Sequence, residues 1–283
     1  MRGNLLNLNT PWVESELFES HIKHKSKKFL KYAKKFNKDG YVIIDLKISK
    51  KDLKKTIDDV SKLAKADEIK KNPKIYHYNK NPRIVEGYKK FKSIKDLCKN
   101  KKIINILKYF YEKKPVPINS INFIRGTDQP LHSDYIHFSS MPHKYLCAAW
   151  IALEKTDEKN GAIIVVPGSH KFDLIDYSLF NLKTPTSMQE LSKFYKIYET
   201  YVSKLVKLKK IKTKTIKLKP GQAVIWASNL LHGGKKIIDQ SRTRFSQVVH
   251  YHFEKCDFIY NPGFSNVSEG KYALRSLNSL KID

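Results

Sequence analysis

The apolar positions of this chain change period partway along it. Leu53, Ile57, Val60 and Leu63-Ala64 recur at helical spacing behind Ser49, a good N-cap with Asp52 in the first turn. That helix is expected to end near Lys71-Asn72-Pro73. A second helix is expected from Ser93, with Ile94, Leu97-Cys98, Ile104, Leu107 and Tyr111 on its face and Pro115 as its stop. Ahead of both, residues 1–36 read as a loop and then a helix near 20–36. Asp39-Gly40 reads as a turn and Tyr41-Val42-Ile43-Ile44 as a buried strand, while residues 73–92 read as irregular. The helices carry no visible chemistry, and helices amphipathic in this way usually buttress a sheet.

From Pro117 the pattern becomes extended. Ile118–Arg125, Tyr145–Leu153, Ala162–Val166, Lys214–Leu218, Ala223–Trp226 and Arg242–Phe253 read as strands with turn signals between them. Short strands at this spacing argue for a β-sandwich or jelly roll. Residues 172–210 break the rhythm. Ser187-Met188-Gln189-Glu190 is a capping box, and Tyr195, Tyr198, Val202, Leu205 and Leu208 line one side of the helix it opens. This insertion reads as a cap over a pocket, with an ordinary surface helix as the alternative. The expected organisation is a single domain, mainly β with flanking helices. Residues 1–116 give helical support with a first strand, 117–255 a jelly-roll core carrying the insertion at 172–210, and 256–283 a C-terminal tail.

Composition adds bounds. With 283 residues, 41% of them apolar, there is material for one full core. No run approaches the length of a membrane span. The first residues lack the apolar stretch of a signal peptide, and the last ones carry no targeting tripeptide. The three cysteines, Cys98, Cys147 and Cys256, are widely spaced, as expected of thiols in a reducing compartment, and a cytoplasmic location is expected. The net charge of +28 admits an anionic partner. The lysines are scattered, and Lys, Ile, Asn, Tyr and Phe are all abundant, which also fits a compositional bias. Either way, the charge steers toward an anionic substrate.

The candidate chemistry begins at Gln129-Pro130-Leu131-His132-Ser133-Asp134. His132 and Asp134 are two apart, so on an extended backbone both side chains leave one face. An imidazole beside a carboxylate is two-thirds of the two-His-one-carboxylate set that holds Fe(II) and leaves positions open for a chelating co-substrate and O2. His232, between a strand and Gly233-Gly234, supplies the third group. His132, Asp134 and His232 are therefore the candidate metal ligands and catalytic centre. A rival pair, His252-Phe253-Glu254, lies at the far end of its strand, where His250 and His252 read as strand residues. Arg242 and Arg244 share a face of the last strand, and a guanidinium fits a carboxylate through two parallel hydrogen bonds. Inside a barrel such an Arg would clamp the distal carboxylate of 2-oxoglutarate. Arg242 adjoins a polar hairpin and is expected at the surface, and Ser246 adds a hydroxyl two residues after Arg244.

Pro130-Leu131-His132-Ser133-Asp134, Cys147 to Leu153, Asn160 to Lys171 and Leu231-His232-Gly233-Gly234 together resemble the phytanoyl-CoA dioxygenase family of Fe(II)/2-oxoglutarate oxygenases, in the family's order. Asp39-Gly40-Tyr41-Val42-Ile43 resembles the start of that fold, so the resemblance covers roughly residues 36–255. It implies a double-stranded β-helix (a cupin-like jelly roll) with Fe(II) held by His132, Asp134 and His232. It further implies 2-oxoglutarate paired with Arg244, beside Trp150. The family often has a Ser two residues after its distal His, where this chain has Gly234, and Arg83 would stand in for an upstream basic residue.

The implied reaction converts 2-oxoglutarate and O2 to succinate and CO2 while an unactivated C–H bond of a small molecule is hydroxylated. Asp134 argues against the halogenating relatives, which lack that carboxylate. Tyr135, His137 and His143 follow the metal pair closely enough to touch substrate, with rim residues as the equal alternative. Two other classes remain. A nucleic-acid-directed oxygenase would suit the charge, but no aromatic-plus-basic reading segment is evident. A non-catalytic jelly-roll binding protein would not need the intact metal set and clamp.

Overall fold

The computed structural model describes residues 9–66, 77–78, 81–175, 177–180 and 182–260, together with 274 and 282. Its centre is a seven-stranded antiparallel sheet. The strands are β1 (Tyr41–Asp45), β2 (His77–Tyr78), β3 (Asn81–Val85), β4 (Pro115–Phe123), β6 (Leu146–Ala152), β9 (Gln222–Ala227) and β11 (Ser246–Phe253). They lie in the order β1-β9-β6-β11-β4-β3-β2. Opposite is a smaller sheet, β10 (His232–Gly234), β7 (Ile163–Val165) and β8 (Lys214–Ile216), in that order. A third pair, β5 (Phe138–Met141) and β12 (Asp257–Tyr260), flanks them. The four central strands of the large sheet and the facing small sheet make the expected double-stranded β-helix, which is why neighbours such as β4 and β11 are far apart in sequence.

Alternation along the strands divides two cores. Ala148, Trp150, Ala152, Val224, Trp226 and Val248 point between the sheets, where they meet Ile163, Val165 and Ile216. Cys147, Ala149, Ile151, Ile225, Val249 and Tyr251 point the other way. They are covered by α2 (Leu30–Asp39), α3 (Lys50–Ala64), α4 (Lys92–Cys98) and α5 (Lys101–Tyr111), which follow the short α1 (Phe18–Ile22). Each large apolar side chain so buried stabilises by about 1.5–3 kcal/mol. The helices are the buttress that their stripes predict.

Several boundaries differ from the sequence reading, each for a local reason. Ser49 does cap α3, accepting from the Asp52 amide. The expected stop at Lys71-Pro73 lies outside the described residues. The single helix expected from Ser93 is two, because Asn100 accepts from the Lys102 and Ile103 amides and starts α5 afresh. Ser93 instead donates to Asp59 at 2.7 Å. Within the stretch read as irregular, Asn81–Val85 is a strand paired with β4, which brings Arg83 opposite Phe123. The strand expected from Arg242 begins at Ser246, so Arg244 lies just before the ladder, its amide bonded to the Ile124 carbonyl at 2.6 Å.

The insertion forms α6 (Met188–Leu208), capped by Ser187 as its sequence predicts. Leu191, Phe194, Tyr198 and Val202 pack on Ile136, Val166, Ile175 and Leu231. This places the helix behind the His132–Asp134 segment. Among the described residues no helix is long and apolar enough to cross a membrane.

Gly40 joins α2 to β1 at φ +78°, where an added Cβ would stand 2.5 Å from His170 Nδ1 and 2.8 Å from Leu230. The left-handed backbone alone costs a non-glycine residue about 1–2 kcal/mol. Gly40→Ala is therefore expected to lose more than about 2 kcal/mol of stability once the clash is added. Urea denaturation measures this, and an unchanged midpoint would show that the turn relaxes freely.

Candidate metal centre

His132 and His232 come from segments distant in sequence that form one antiparallel bridge. The His132 amide donates to the His232 carbonyl at 2.9 Å, and the His232 amide donates back at 2.8 Å. Gly233 permits this close approach, since a Cβ there would lie 2.8 Å from the Gln129 carbonyl oxygen. Two residues on from His132, past the extended Ser133, Asp134 opens a short turn through Ile136. One ligand atom from each of His132, Asp134 and His232 lies within 4.8 Å of the others, and all three residues are buried.

The tautomers suit a cation. His132 Nδ1 lies 2.8 Å from the Pro130 carbonyl, and His232 Nδ1 lies 2.9 Å from the Leu230 carbonyl. Each Nδ1 must therefore carry a proton and donate, which leaves Nε2 as the nitrogen offered to a metal. Burial, aided by the neighbouring His232 and His137, holds the His132 pKa well below the usual histidine range. The ring is thus the neutral species a metal requires.

Asp134 is held from several sides. Trp226 donates its indole N–H to Oδ2 at 2.7 Å, and Oδ1 faces His232 Nε2 at 3.6 Å and His250 Nε2 at 3.4 Å. Burial alone would raise the pKa of this carboxyl. The surrounding histidines outweigh it and hold the group well below the ordinary carboxylate range. Periodicity alone leaves His250 as a strand residue, but Val248 and His250 share the inward face of β11, so period two from Arg244 could have marked it. Its ring is fixed because Nδ1 donates to Asn119 Oδ1 at 2.7 Å.

The cavity beside these groups is walled by Phe123, Trp150, Ile163 and Val248 and carries two guanidiniums. Arg244 is 2% exposed, with its guanidinium carbon 5.3 Å from the Trp150 ring centre and 5.8 Å from that of Phe123. It donates to the Gly161 carbonyl at 2.5 Å, while its Nε is buried without a partner. Burial pushes its pKa down to about 10. An arginine in this state favours a bound anion. Arg83, from β3, reaches the same cavity, as does Gln129.

The other candidates separate. Arg242 pairs with Asp157 at 2.9 Å, partly exposed, and does not line the cavity. Ser246 shares the inward face of its strand, but its hydroxyl donates to the Arg244 carbonyl at 3.4 Å and is not among the cavity walls. Gly234 lines the cavity, and a Cβ there would press on the Asp128 and Gln129 amides at 3.1 Å. The rival pair divides, with His252 buried against Phe258 and Glu254 paired with Lys114 at 2.7 Å. His137 approaches the Tyr195 hydroxyl at 3.4 Å, and Tyr135 and His143 neighbour each other. None of these three lines the cavity.

Helix α6 is not among the described residues that line the cavity, and it packs behind the segment that carries His132 and Asp134. The Tyr198 hydroxyl accepts from the Ser133 amide at 2.9 Å, between the two residues that supply ligand atoms. Tyr198→Phe would leave that buried amide unpaired, at a cost of about 1–3 kcal/mol. Thermal denaturation is expected to show a lower midpoint, and a wild-type midpoint would mean that another group takes the bond.

Residues 36–244 match the family described as phytanoyl-CoA dioxygenase (PhyH). The chain is 42% identical over 48 residues to a probable phytanoyl-CoA dioxygenase of Caenorhabditis elegans, covering 17% of this chain and 15% of that one. It is 33% identical over 90 residues to a probable alpha-ketoglutarate-dependent hypophosphite dioxygenase of Stutzerimonas stutzeri, 31% of each chain. These matches span less than a third of the relatives' own length. The solved structure of the non-heme alpha ketoglutarate dependent carbocyclase SnoK from nogalamycin biosynthesis superposes with a TM-score of 0.62 at 16% identity, covering 89% of this chain and 93% of the other. With most of its length matched, from the end of α2 to Arg244, the chain belongs to the phytanoyl-CoA dioxygenase family of Fe/2-oxoglutarate-dependent dioxygenases.

Proposed function

We propose that this protein is an Fe(II)/2-oxoglutarate-dependent dioxygenase that hydroxylates an unactivated C–H bond of a small anionic molecule. The observation that carries the reading is the convergence of His132 Nε2, His232 Nε2 and an Asp134 oxygen on one point beside an arginine-bearing cavity. The donor set fits a divalent iron: two imidazoles, each with an N–H fixed on the far nitrogen, and one carboxylate held ionised. When bound, the iron would supply the oxygen-activating chemistry, with O2 and 2-oxoglutarate as co-substrates.

The chain's own residues bind, orient and shield. Arg244 receives the distal carboxylate of 2-oxoglutarate, and its burial makes that pairing strong and selective for an anion of matching length. Trp150 lies against the guanidinium and limits where the bound acid sits. Phe123, Ile163 and Val248 keep water from the reacting centre. Arg83 adds a second positive group at the cavity, which together with the +28 charge favours an anionic substrate.

Two measurements test this reading. Asp134→Ala removes the only charged ligand, so Fe(II) titration under anaerobic conditions should show metal affinity reduced at least ten-fold and hydroxylation abolished. Wild-type affinity in that variant would remove Asp134 from the centre. Truncating one partner of a buried, hydrogen-bonded charge pair costs about 2–5 kcal/mol, whereas a surface ion pair contributes at most about 1 kcal/mol. Arg244→Ala should therefore weaken 2-oxoglutarate binding about thirty-fold or more. Arg242→Ala should change it less than about ten-fold. A larger loss with Arg242→Ala would place the anion outside the Trp150 wall.

A further inference from the structure

Resting on the reading above, we infer that Gln129 is a two-position switch. It closes the metal centre while the metal is absent and turns to hold the co-substrate once the metal is bound. Its amide nitrogen lies 3.1 Å from His132 Nε2, the nitrogen offered to a metal. His132 Nδ1 is committed to the Pro130 carbonyl at 2.8 Å, so Nε2 accepts and the Gln129 amide donates. The other end of the same amide agrees, since Gln129 Oε1 accepts from Arg83 Nη2 at 3.4 Å. Both ends thus fix one orientation of the amide.

A single lone pair cannot serve two partners. Metal binding at His132 Nε2 must break the Gln129 bond, and any group that holds Gln129 in place opposes the metal. The backbone of Gln129 is not free to follow. Its carbonyl accepts from the Gly234 amide at 2.9 Å, which ties it to the strand that begins with His232. Only the side chain can turn. Released, the amide remains inside the cavity among Arg83, Arg244 and the metal ligands, all of which line it. The ligand it then meets is an anion, for which an N–H donor beside two guanidiniums is a suitable partner. Gln129 therefore opposes the metal and favours the carboxylate of 2-oxoglutarate, because losing the first contact frees the amide for the second.

The opposite signs separate this role from a structural one, because a variant that merely loosens the site weakens both ligands. Wild type, Gln129→Ala and the same-sized Gln129→Glu are titrated with Mn(II) alone. Each Mn(II)-loaded protein is then titrated with 2-oxoglutarate without oxygen, folding being checked by circular dichroism. Both variants should bind Mn(II) more tightly, by up to about five-fold, the equivalent of about 1 kcal/mol. Both should bind 2-oxoglutarate at least five-fold more weakly, Gln129→Glu most of all through charge repulsion. Unchanged or weaker Mn(II) binding in the folded variants overturns the inference, as does unchanged 2-oxoglutarate binding. If wild type binds both ligands and only the variants disobey, the functional reading stands. If wild type binds neither, both fall.

Discussion

The bridge between His132 and His232 is the constraint on which the site depends. Two backbone hydrogen bonds of 2.8–2.9 Å fix the separation of two imidazoles that the chain order keeps a hundred residues apart. Side chains of directly paired residues stand on one face a few ångströms apart. Once the pairing register is set, the rings face a common point without further adjustment. The register is guarded by glycine, since a Cβ at Gly233 would strike the Gln129 carbonyl. A slip of one residue would send one ring to the opposite face. The hydrophobic alternation of the whole jelly roll, which pins that register, therefore serves the metal centre as much as the core.

A second constraint is charge. Asp134 and Arg244 are both almost fully buried, a cost that apolar packing cannot offset. For Asp134 the compensation is local and complete, with one oxygen on the Trp226 indole and the other among histidines. For Arg244 it is partial: one nitrogen has the Gly161 carbonyl and Nε has nothing. The two residues thus stand in different states. The carboxylate is satisfied and ready to hold a cation. The guanidinium is under-satisfied and favours an anion that completes it. Both states face one cavity.

How much of this was legible in the sequence depended on the range over which each signal acts. Period two exposed the strands, and the spacing of His132 and Asp134 exposed two candidate ligands because both signals are local. Ser49 and Ser187 were readable as caps because a cap acts within one turn. Asn100 was not, because the apolar stripe runs on through it and hides the break. The strand at Asn81–Val85 was hidden by its length and by Pro82, and its pairing with β4 and β2 defines it. Trp226 and Asn119 could not be linked to Asp134 by a pattern along the chain, since their association exists only after the sheets close.

Helix α6 shows how an insertion can become part of the machinery it interrupts. Read as sequence, it is an amphipathic helix between ligand-bearing strands, and a lid is the natural guess. Its apolar stripe, though, is buried against Ile136 and Leu231, which lie close to Asp134 and His232 in the chain, and against Val166, whose amide donates to the Leu231 carbonyl. A mobile lid cannot have its inner face locked in a core of that kind, because opening it would expose several large apolar groups at about 1.5–3 kcal/mol each. The Tyr198 hydroxyl reinforces the point by bonding the Ser133 amide, which has no strand partner to satisfy it. The insertion therefore packs on the segment that carries His132 and Asp134 and holds it still.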